Sequence, residues 1–571
     1  MRKKSRWIFA GLSVFIMGGA SAVDFETEAI NGSVNSNVTA GIGVRTKNQS
    51  CALIGTPNVS DCGANVNTAQ WANADNGNLN YNKGTLFTGY LSLTSEALVK
   101  VPEQNLKFLA RGTALFDPVA ADTSTTRLSG DARNQMVHRA TLLDFWGQKD
   151  FQIGGESAHV RLGNQVINWG ESSFAAGGIN ATNAVDIQSL LIPGTQLKQA
   201  LLPAPMISFA STLPAGLTTE AYLQFGWNAN RFPAVGSYWS LSDNFGRGAV
   251  PATSNSSNFN EAGLDPATAF PYTAVRPGNK PQYGIRVGYT PAGTSLNLAA
   301  YYENYTDKNP VFGSIAGGSM GAAQYLKDRS LLGVSANFPI GDWAIGTELS
   351  YRPHDAVSML GCFGAGGPAD YNTNAAAGSC NWWKDNKKYQ LIVNGQLQMS
   401  PTSHPNTLKM LGNANSAVLT AELGYIKYPG IDADKTYPTT TGAGQAAYTI
   451  PAAGYFVWLT GQPNSIPAAK GTAKSAGYVV DFNWTYDGSA IPGWAVTPGV
   501  TFSNAFSGYT PNFAGNYLRG AKSANLYLVL TQNPATWQAG LNYTAFFGGS
   551  AVNSQPYADR NYIGAYITRN F

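Results

Sequence analysis

His159 and Arg161 stand two residues apart in Ser157-Ala158-His159-Val160-Arg161-Leu162, so in an extended chain their side chains share one face. Hydrolases embedded in a barrel wall use a Ser-His pair, which makes His159 the first candidate for catalysis. No Ser and carboxylate partner can be assigned to it, and neither G-x-S-x-G nor H-E-x-x-H occurs. His159 therefore reads as a polar wall residue, and the chain does not read as an enzyme. The run Asp75-Asn76-Gly77-Asn78-Leu79-Asn80 is rich in oxygen donors. It departs from the D-x-[DN]-x-[DN]-G spacing of a calcium loop and predicts an Asx-rich turn ahead of a strand. Cys51 and Cys62 form one local pair, and Cys362 and Cys380 another. Four cysteines permit three pairings, but neighbours within one loop are favoured by proximity, and an exported chain meets an oxidising compartment. Without C-x-x-C spacing a zinc site has little support, so no metal or cofactor is expected.

Export is itself legible. Arg2, Lys3, Lys4 and Arg6 precede the apolar stretch Trp7 to Met17, which ends in Ala20-Ser21-Ala22; residues 1–22 read as a signal peptide and 23–571 as one domain. Lys and Arg number 37 against 33 Asp and Glu, so the four leader cations account for the whole charge excess. A neutral mature chain offers no basic face for nucleic acid. Charged residues make up 12%, about half the share usual in soluble domains. Beyond the leader no run approaches the roughly 18 apolar residues that a membrane helix needs. With 63 Gly, 28 Tyr, 26 Phe and 13 Trp, the remaining architecture that satisfies every backbone group in lipid is a closed β-barrel in the outer membrane of a Gram-negative cell.

A barrel strand alternates lipid and lumen faces. From Phe87 to Val101 the odd positions include Leu91, Leu93, Ala97 and Val99, against Thr88, Ser92, Thr94, Glu96 and Lys100. With this segment, alternation gives strands near 34–45, 85–101, 105–116, 138–148, 156–169, 206–213, 217–228, 282–290, 294–305, 328–338, 343–352, 387–400, 415–427, 475–487, 494–506, 523–533, 536–547 and 561–571. The expected fold is thus all-β, a transmembrane antiparallel barrel of about 18 strands, or 16 if the pair within 138–169 is misread. Short links such as Pro214-Ala215-Gly216 alternate with long ones near 229–281, 353–386 and 428–474, which puts both termini on the periplasmic side. Terminal Phe571 resembles the signal recognised by barrel-assembly machinery, and the last strand must close on the row Val34, Val38, Ala40, Ile42, Val44.

Alternation stops after Trp169-Gly170 for about 35 residues. Asn183 is expected to cap a short amphipathic helix ending at Pro193, and a second short helix is expected over 195–202. Ile187, Leu190, Leu191, Ile192, Leu197, Leu201 and Leu202 would be an exposed apolar patch if this segment stood in water. Residues 171–205 are therefore expected to fold inward and narrow the lumen, the alternative being a lid over the mouth. Arg161, Trp169, Asn180, Asp186, Leu190 and Leu191 are the expected lining. Charges on the wall, including Glu96, Arg111, Glu220, Arg286, Glu303, Glu348, Arg352, Glu422 and Asp481, are of mixed sign, unlike the rings of an anion or cation pore. The favoured function is a channel for hydrophobic or amphiphilic small molecules; the alternatives are a surface receptor or structural barrel with a sealed lumen, and a membrane-embedded enzyme.

Several phrases carry a family likeness: Asp75-Asn76-Gly77-Asn78-Leu79-Asn80-Tyr81-Asn82-Lys83-Gly84, Arg161-Leu162-Gly163-Asn164-Gln165-Val166-Ile167-Asn168-Trp169-Gly170-Glu171-Ser172, Gly177-Gly178-Ile179-Asn180-Ala181, Val185-Asp186, Leu201-Leu202-Pro203-Ala204-Pro205-Met206, Tyr351-Arg352-Pro353 and Asp559-Arg560. Together they resemble the exported proteobacterial barrels of the domain of unknown function 1302, across nearly the whole mature chain; the two cysteine-bearing loops fall outside the likeness. The resemblance implies an outer-membrane location, a periplasmic lipid-binding partner, an inner-membrane exporter of hydrophobes, and movement of lipid- or sterol-like compounds.

Overall fold

The computed structural model describes residues 23–571 except 56–61, 64, 67–73, 250–251, 254–268, 271, 279, 316–319, 364–379, 432–436, 439–446, 449–470 and 551–553. The leader thus lies outside the described residues, as do the side chains of Cys362 and Cys380. The barrel strands are β1 Asn31–Arg45, β2 Leu86–Val101, β3 Leu106–Phe116, β4 His138–Ile153, β5 Glu156–Gln165 and β6 Ala204–Leu213. They continue as β7 Leu217–Gln224, β8 Gln282–Tyr289, β9 Asn297–Tyr305, β10 Arg329–Ile340, β11 Trp343–Phe363 and β12 Cys380–Met399. The last six are β13 Ser416–Lys427, β14 Lys474–Ile491, β15 Trp494–Ser507, β16 Lys522–Gln532, β17 Trp537–Phe547 and β18 Tyr562–Asn570.

Each strand pairs antiparallel with its neighbours in chain order, and β18 closes on β1 with Ile567 opposite Ala40 and Ile563 opposite Val44. The 18-strand count matches the alternation pattern. Among the described residues, closure leaves the 18-strand wall without an edge strand, the condition for a sheet to stand in hydrocarbon. Outward side chains are apolar and uncovered: Leu91 is 47% exposed, Leu162 57%, Val334 52% and Ile567 47%. Their row around the barrel is the surface that lipid covers.

Inward charges mostly neutralise one another. Arg111 bridges Glu96 at 2.5 Å and Asp144 at 2.8 Å, Arg286 meets Glu220 at 2.9 Å and Lys107 meets Asp150 at 2.7 Å.

Some boundaries differ from the sequence pattern. β5 stops at Gln165 rather than 169, and β7 at Gln224 rather than 228, because both chains bend into the lumen there. β11 and β12 extend well past 352 and 387. Pro353 interrupts the alternation, and the structure absorbs it in a bulge between Arg352 and Asp355, after which pairing resumes with Asp355 opposite Asn386.

Candidate functional site

Two fingers of chain between β5 and β6 cross the lumen in opposite directions. The first, residues 166–183, is closed at its base by amides. Asn183 accepts from Ile167 N at 3.2 Å and donates to Ile167 O at 2.5 Å, while Asn180 Oδ1 accepts from Trp169 N and Gly170 N, both at 3.0 Å. Trp169 is buried against Tyr222 of β7 and Tyr301 of β9, with ring centroids at 5.3 and 6.1 Å, and its Nε1 donates to Glu220 at 2.8 Å. Tyr301 Oη in turn donates to Trp169 O at 3.1 Å.

Beyond its base the finger is held by two wall carboxylates. Glu348 of β11 accepts from Glu171 N at 2.7 Å and Ile179 N at 3.1 Å. Glu422 of β13 accepts from Ser173 N at 2.6 Å, Phe174 N at 3.1 Å and Ala175 N at 2.5 Å. Since β13 is eight strands on from β5 in a ring of 18, the finger reaches nearly the opposite wall. Among the described residues neither carboxylate forms an ion pair, so backbone N–H groups supply the positive ends of the dipoles they need. Wall donors complete the docking: Arg352 to Gly178 O at 2.9 Å, Gln390 to Ala176 O at 3.1 Å, and Asn394 to Glu171 O. The return depends on Gly178. Its φ is +64°, and a Cβ there would sit 2.0 Å from Glu348 Oε1.

The second finger, residues 184–203, turns to the other side. Ala184 and Val185 pair with Leu202 and Leu201. The short helix Ile187–Leu190 is capped by Asp186, whose Oδ1 accepts from Ser189 N at 2.9 Å. The expected cap, Asn183, is displaced from that role because its amide closes the first finger. Asp186 also meets Arg231 at 2.6 Å and Arg139 of β4 at 3.2 Å. At the far end Tyr90 of β2 donates to Pro193 O, Gly194 lies on the Tyr566 ring of β18, and Gln199 donates to Thr94 of β2 at 2.7 Å.

Between the fingers and the long links lies a cavity of about 940 Å³. Its apolar side includes Phe174, Leu190 and Leu197 from the fingers, and Phe232, Phe245 and Phe513 from the links. Those three rings pack with one another and with Phe312, the closest pair, Phe232 and Phe245, at 5.2 Å. Inside the barrel Phe174 is 43% exposed, Leu190 45% and Leu197 60%. The polar side carries Lys308, Arg352, Asp355 and Lys388. Asp355 accepts from Tyr428 at 2.6 Å and from Arg352 at 3.3 Å. In the link after β9, burial lowers the Lys308 ammonium to about 7 and raises the Asp307 carboxyl to about 6.

Of the residues singled out from sequence, Trp169 and Asn180 build the base of the first finger and Asp186 the second, while Leu190 faces the cavity. Leu191 instead packs against the buried cluster of Tyr81, Phe87, Tyr238 and Trp239. Arg161 lies outside the cavity lining, lower on the wall: it donates to Gln148 at 2.7 and 3.0 Å and stacks over Trp146 at 4.0 Å. Cys51 and Cys62 are bonded as expected, 11 residues apart; Cys362 and Cys380 lie outside the described side chains. Sequence reasoning placed Glu348 and Glu422 on the lumen face but gave them no part in holding the fingers. The Gly177-Gly178 doublet was the available sign that chain and wall approach closely here.

No curated protein matches the sequence. Among solved structures the chain is similar to Acinetobacter baumannii OccAB1, with 10% identity over 96% of this chain and 98% of that one and a TM-score of 0.42. Pseudomonas aeruginosa OpdK, solved with vanillate, gives 9% identity, 94% and 98% coverage and a TM-score of 0.40. For Pseudomonas aeruginosa OccK2 (OpdF) in complex with glucuronate the values are 11%, 94%, 98% and 0.38. Residues 3–571 match the family described as "Protein of unknown function (DUF1302)", and with essentially the whole sequence inside that match, the chain belongs to the DUF1302 family.

Proposed function

We propose that the protein is an outer-membrane channel for hydrophobic or amphiphilic small molecules of lipid or sterol-like character, narrowed by residues 171–205, which make up most of the two fingers. The apolar outer row supports the membrane location. The observation that carries the cargo class is the exposure of Phe174, Leu190 and Leu197 inside the barrel. Apolar surface kept in a water-filled lumen is a cost that an apolar solute relieves by covering it. Covering three half-exposed side chains contributes roughly 3 kcal/mol in all, at about 1 kcal/mol each. That is weak binding, as passage requires, since a tightly held solute would not leave. The polar side around Asp355 and Arg352 suits the head group of an amphiphile.

Passage is passive or assisted by a periplasmic lipid-binding partner and an inner-membrane exporter, the company that family membership suggests, and Phe571 is the element presented to the assembly machinery. Deleting residues 181–202 tests the reading in planar bilayers. A rise in single-channel conductance and greater entry of bulky apolar compounds into cells are expected. Unchanged conductance and entry in a folded deletion variant would refute the channel and favour a receptor with a sealed lumen.

A further inference from the structure

Two segments at the long-link end of the barrel interlock. Asn80 Nδ2 donates to Gly236 O at 2.9 Å, and a Cβ on Gly77 would lie 2.3 Å from Ser237 O and 2.9 Å from Ser240 O. Asp75, Ser237 and Asp243 are all 0% exposed. Within this contact both carboxylate oxygens of Asp243, and the hydroxyl of Ser237, lack a hydrogen-bond partner among the described residues. Asp243 lies against the Asp75–Asn76 backbone with the Asp75 carboxylate beside it, and Arg560 acts on it least of its charged neighbours. Arg560 is drawn instead toward Asp559, 3.9 Å from Nε.

Asp243 is approached only by the Asp75 and Asn76 amides, without a well-formed hydrogen bond, and weakly by Arg560, while the Asp75 carboxylate accepts from Gly55 N at 2.8 Å. A buried carboxylate so poorly compensated is costly, and a second carboxylate beside it adds repulsion; such a pair takes up a proton or a cation. We propose that the Asp75 and Asp243 carboxylates, with the oxygens of Ser237, bind one Ca2+ ion. Among the described residues no group of three His, Cys, Asp or Glu converges, so neutral oxygens complete the donor set. Hard oxygen donors in irregular array suit calcium, whereas magnesium demands near-ideal octahedral geometry and retains water that a buried contact does not admit. The donors come from two distant links rather than one loop, which is why Asp75 to Asn80 fails the calcium-loop spacing. Bound calcium would staple 75–80 to 237–243 and so fix Trp239, Ser240 and Leu241, which border the cavity. This site stands independently of the channel reading.

Tb3+, which takes calcium sites, reports on it directly, because Tyr238 and Trp239 adjoin Ser237 and can sensitise its luminescence. The full-length protein in detergent is expected to give sensitised Tb3+ emission that Ca2+ displaces, and a higher thermal midpoint in Ca2+ than in EDTA. Asp243→Asn should abolish both effects, and the milder Ser237→Ala should weaken Ca2+ affinity several-fold. Asp122→Asn, at an exposed position, should change neither. Absence of emission from the wild-type protein, or emission unaffected by Ca2+, would overturn the proposal and leave a proton as the occupant; so would a folded Asp243→Asn variant that binds as the wild type does.

Discussion

Glu422→Ala removes one side chain from the wall and, besides a long contact with Ser172 Oγ at 3.4 Å, three acceptor contacts from the backbone of the first finger. The lost bonds run from Ser173, Phe174 and Ala175 N–H at 2.6, 3.1 and 2.5 Å. Hydrogen bonds to a charged acceptor contribute about 1.5–3 kcal/mol each when buried. Ser173 and Phe174 are exposed to the lumen, so water replaces part of each loss and about 1 kcal/mol per bond is the better figure. The sum, about 3 kcal/mol, multiplies the population with a released tip by roughly a hundred. Glu348 still holds Glu171 and Ile179, so the barrel and the finger's base should remain. In planar bilayers the variant should show higher mean conductance with frequent excursions, and protease should cut within 172–178 where the wild type resists. Glu422→Gln keeps an acceptor oxygen without the charge and should fall between. A folded Glu422→Ala barrel with wild-type conductance and wild-type protease resistance would show that the tip is held by something else.

Replacing Phe174, Leu190 and Leu197 together with Asn should lower uptake of an apolar fluorescent dye several-fold while leaving entry of a small polar solute unchanged, measured in proteoliposomes. Lys308 titrates near 7 in the folded protein and near 10.4 when unfolded, so between these values the unfolded chain holds the additional proton. Wild-type stability therefore rises with pH through that window, and Lys308→Met should be more stable than wild type below about pH 7, the difference vanishing toward pH 10 in thermal melts. The Cys51–Cys62 bond closes a loop of 11 residues, which by loop entropy contributes about 3 kcal/mol. The double variant Cys51→Ser with Cys62→Ser should leave the barrel folded and make the link between β1 and β2 cleave faster under limited proteolysis.

The wall of this protein was readable because lipid enforces period two. Leu91 and Leu93 against Ser92 and Thr94 allow only one facing, and the closing row Val38 to Val44 had to meet Ile563 and Ile567. Departure from that period also marked 171–205. Alternation fixes the face of a residue, however, and not its height or its partner. Arg161 was correctly faced inward but sits below the fingers, stacked on Trp146. Glu422 and Arg111 look alike in sequence; one takes backbone donors from a segment about 250 positions away, the other takes carboxylates from neighbouring strands. Asn183 and Asp186 are both plausible caps, and the choice went to Asp186 only because Asn183 is engaged with Ile167, a contact that no local rule contains.

At its tip, residues 173–176, the first finger is moored by its main chain. Glu348, Glu422, Arg352, Gln390 and Asn394 all bind amide or carbonyl groups, so proline aside, the side chains at 173–176 can be exchanged without loosening the tip. On the proposed channel reading, selectivity and attachment are thereby encoded in different places. A lineage of such proteins could then retune what enters by rewriting four residues at the finger's tip, while the wall that suspends them stays as it is.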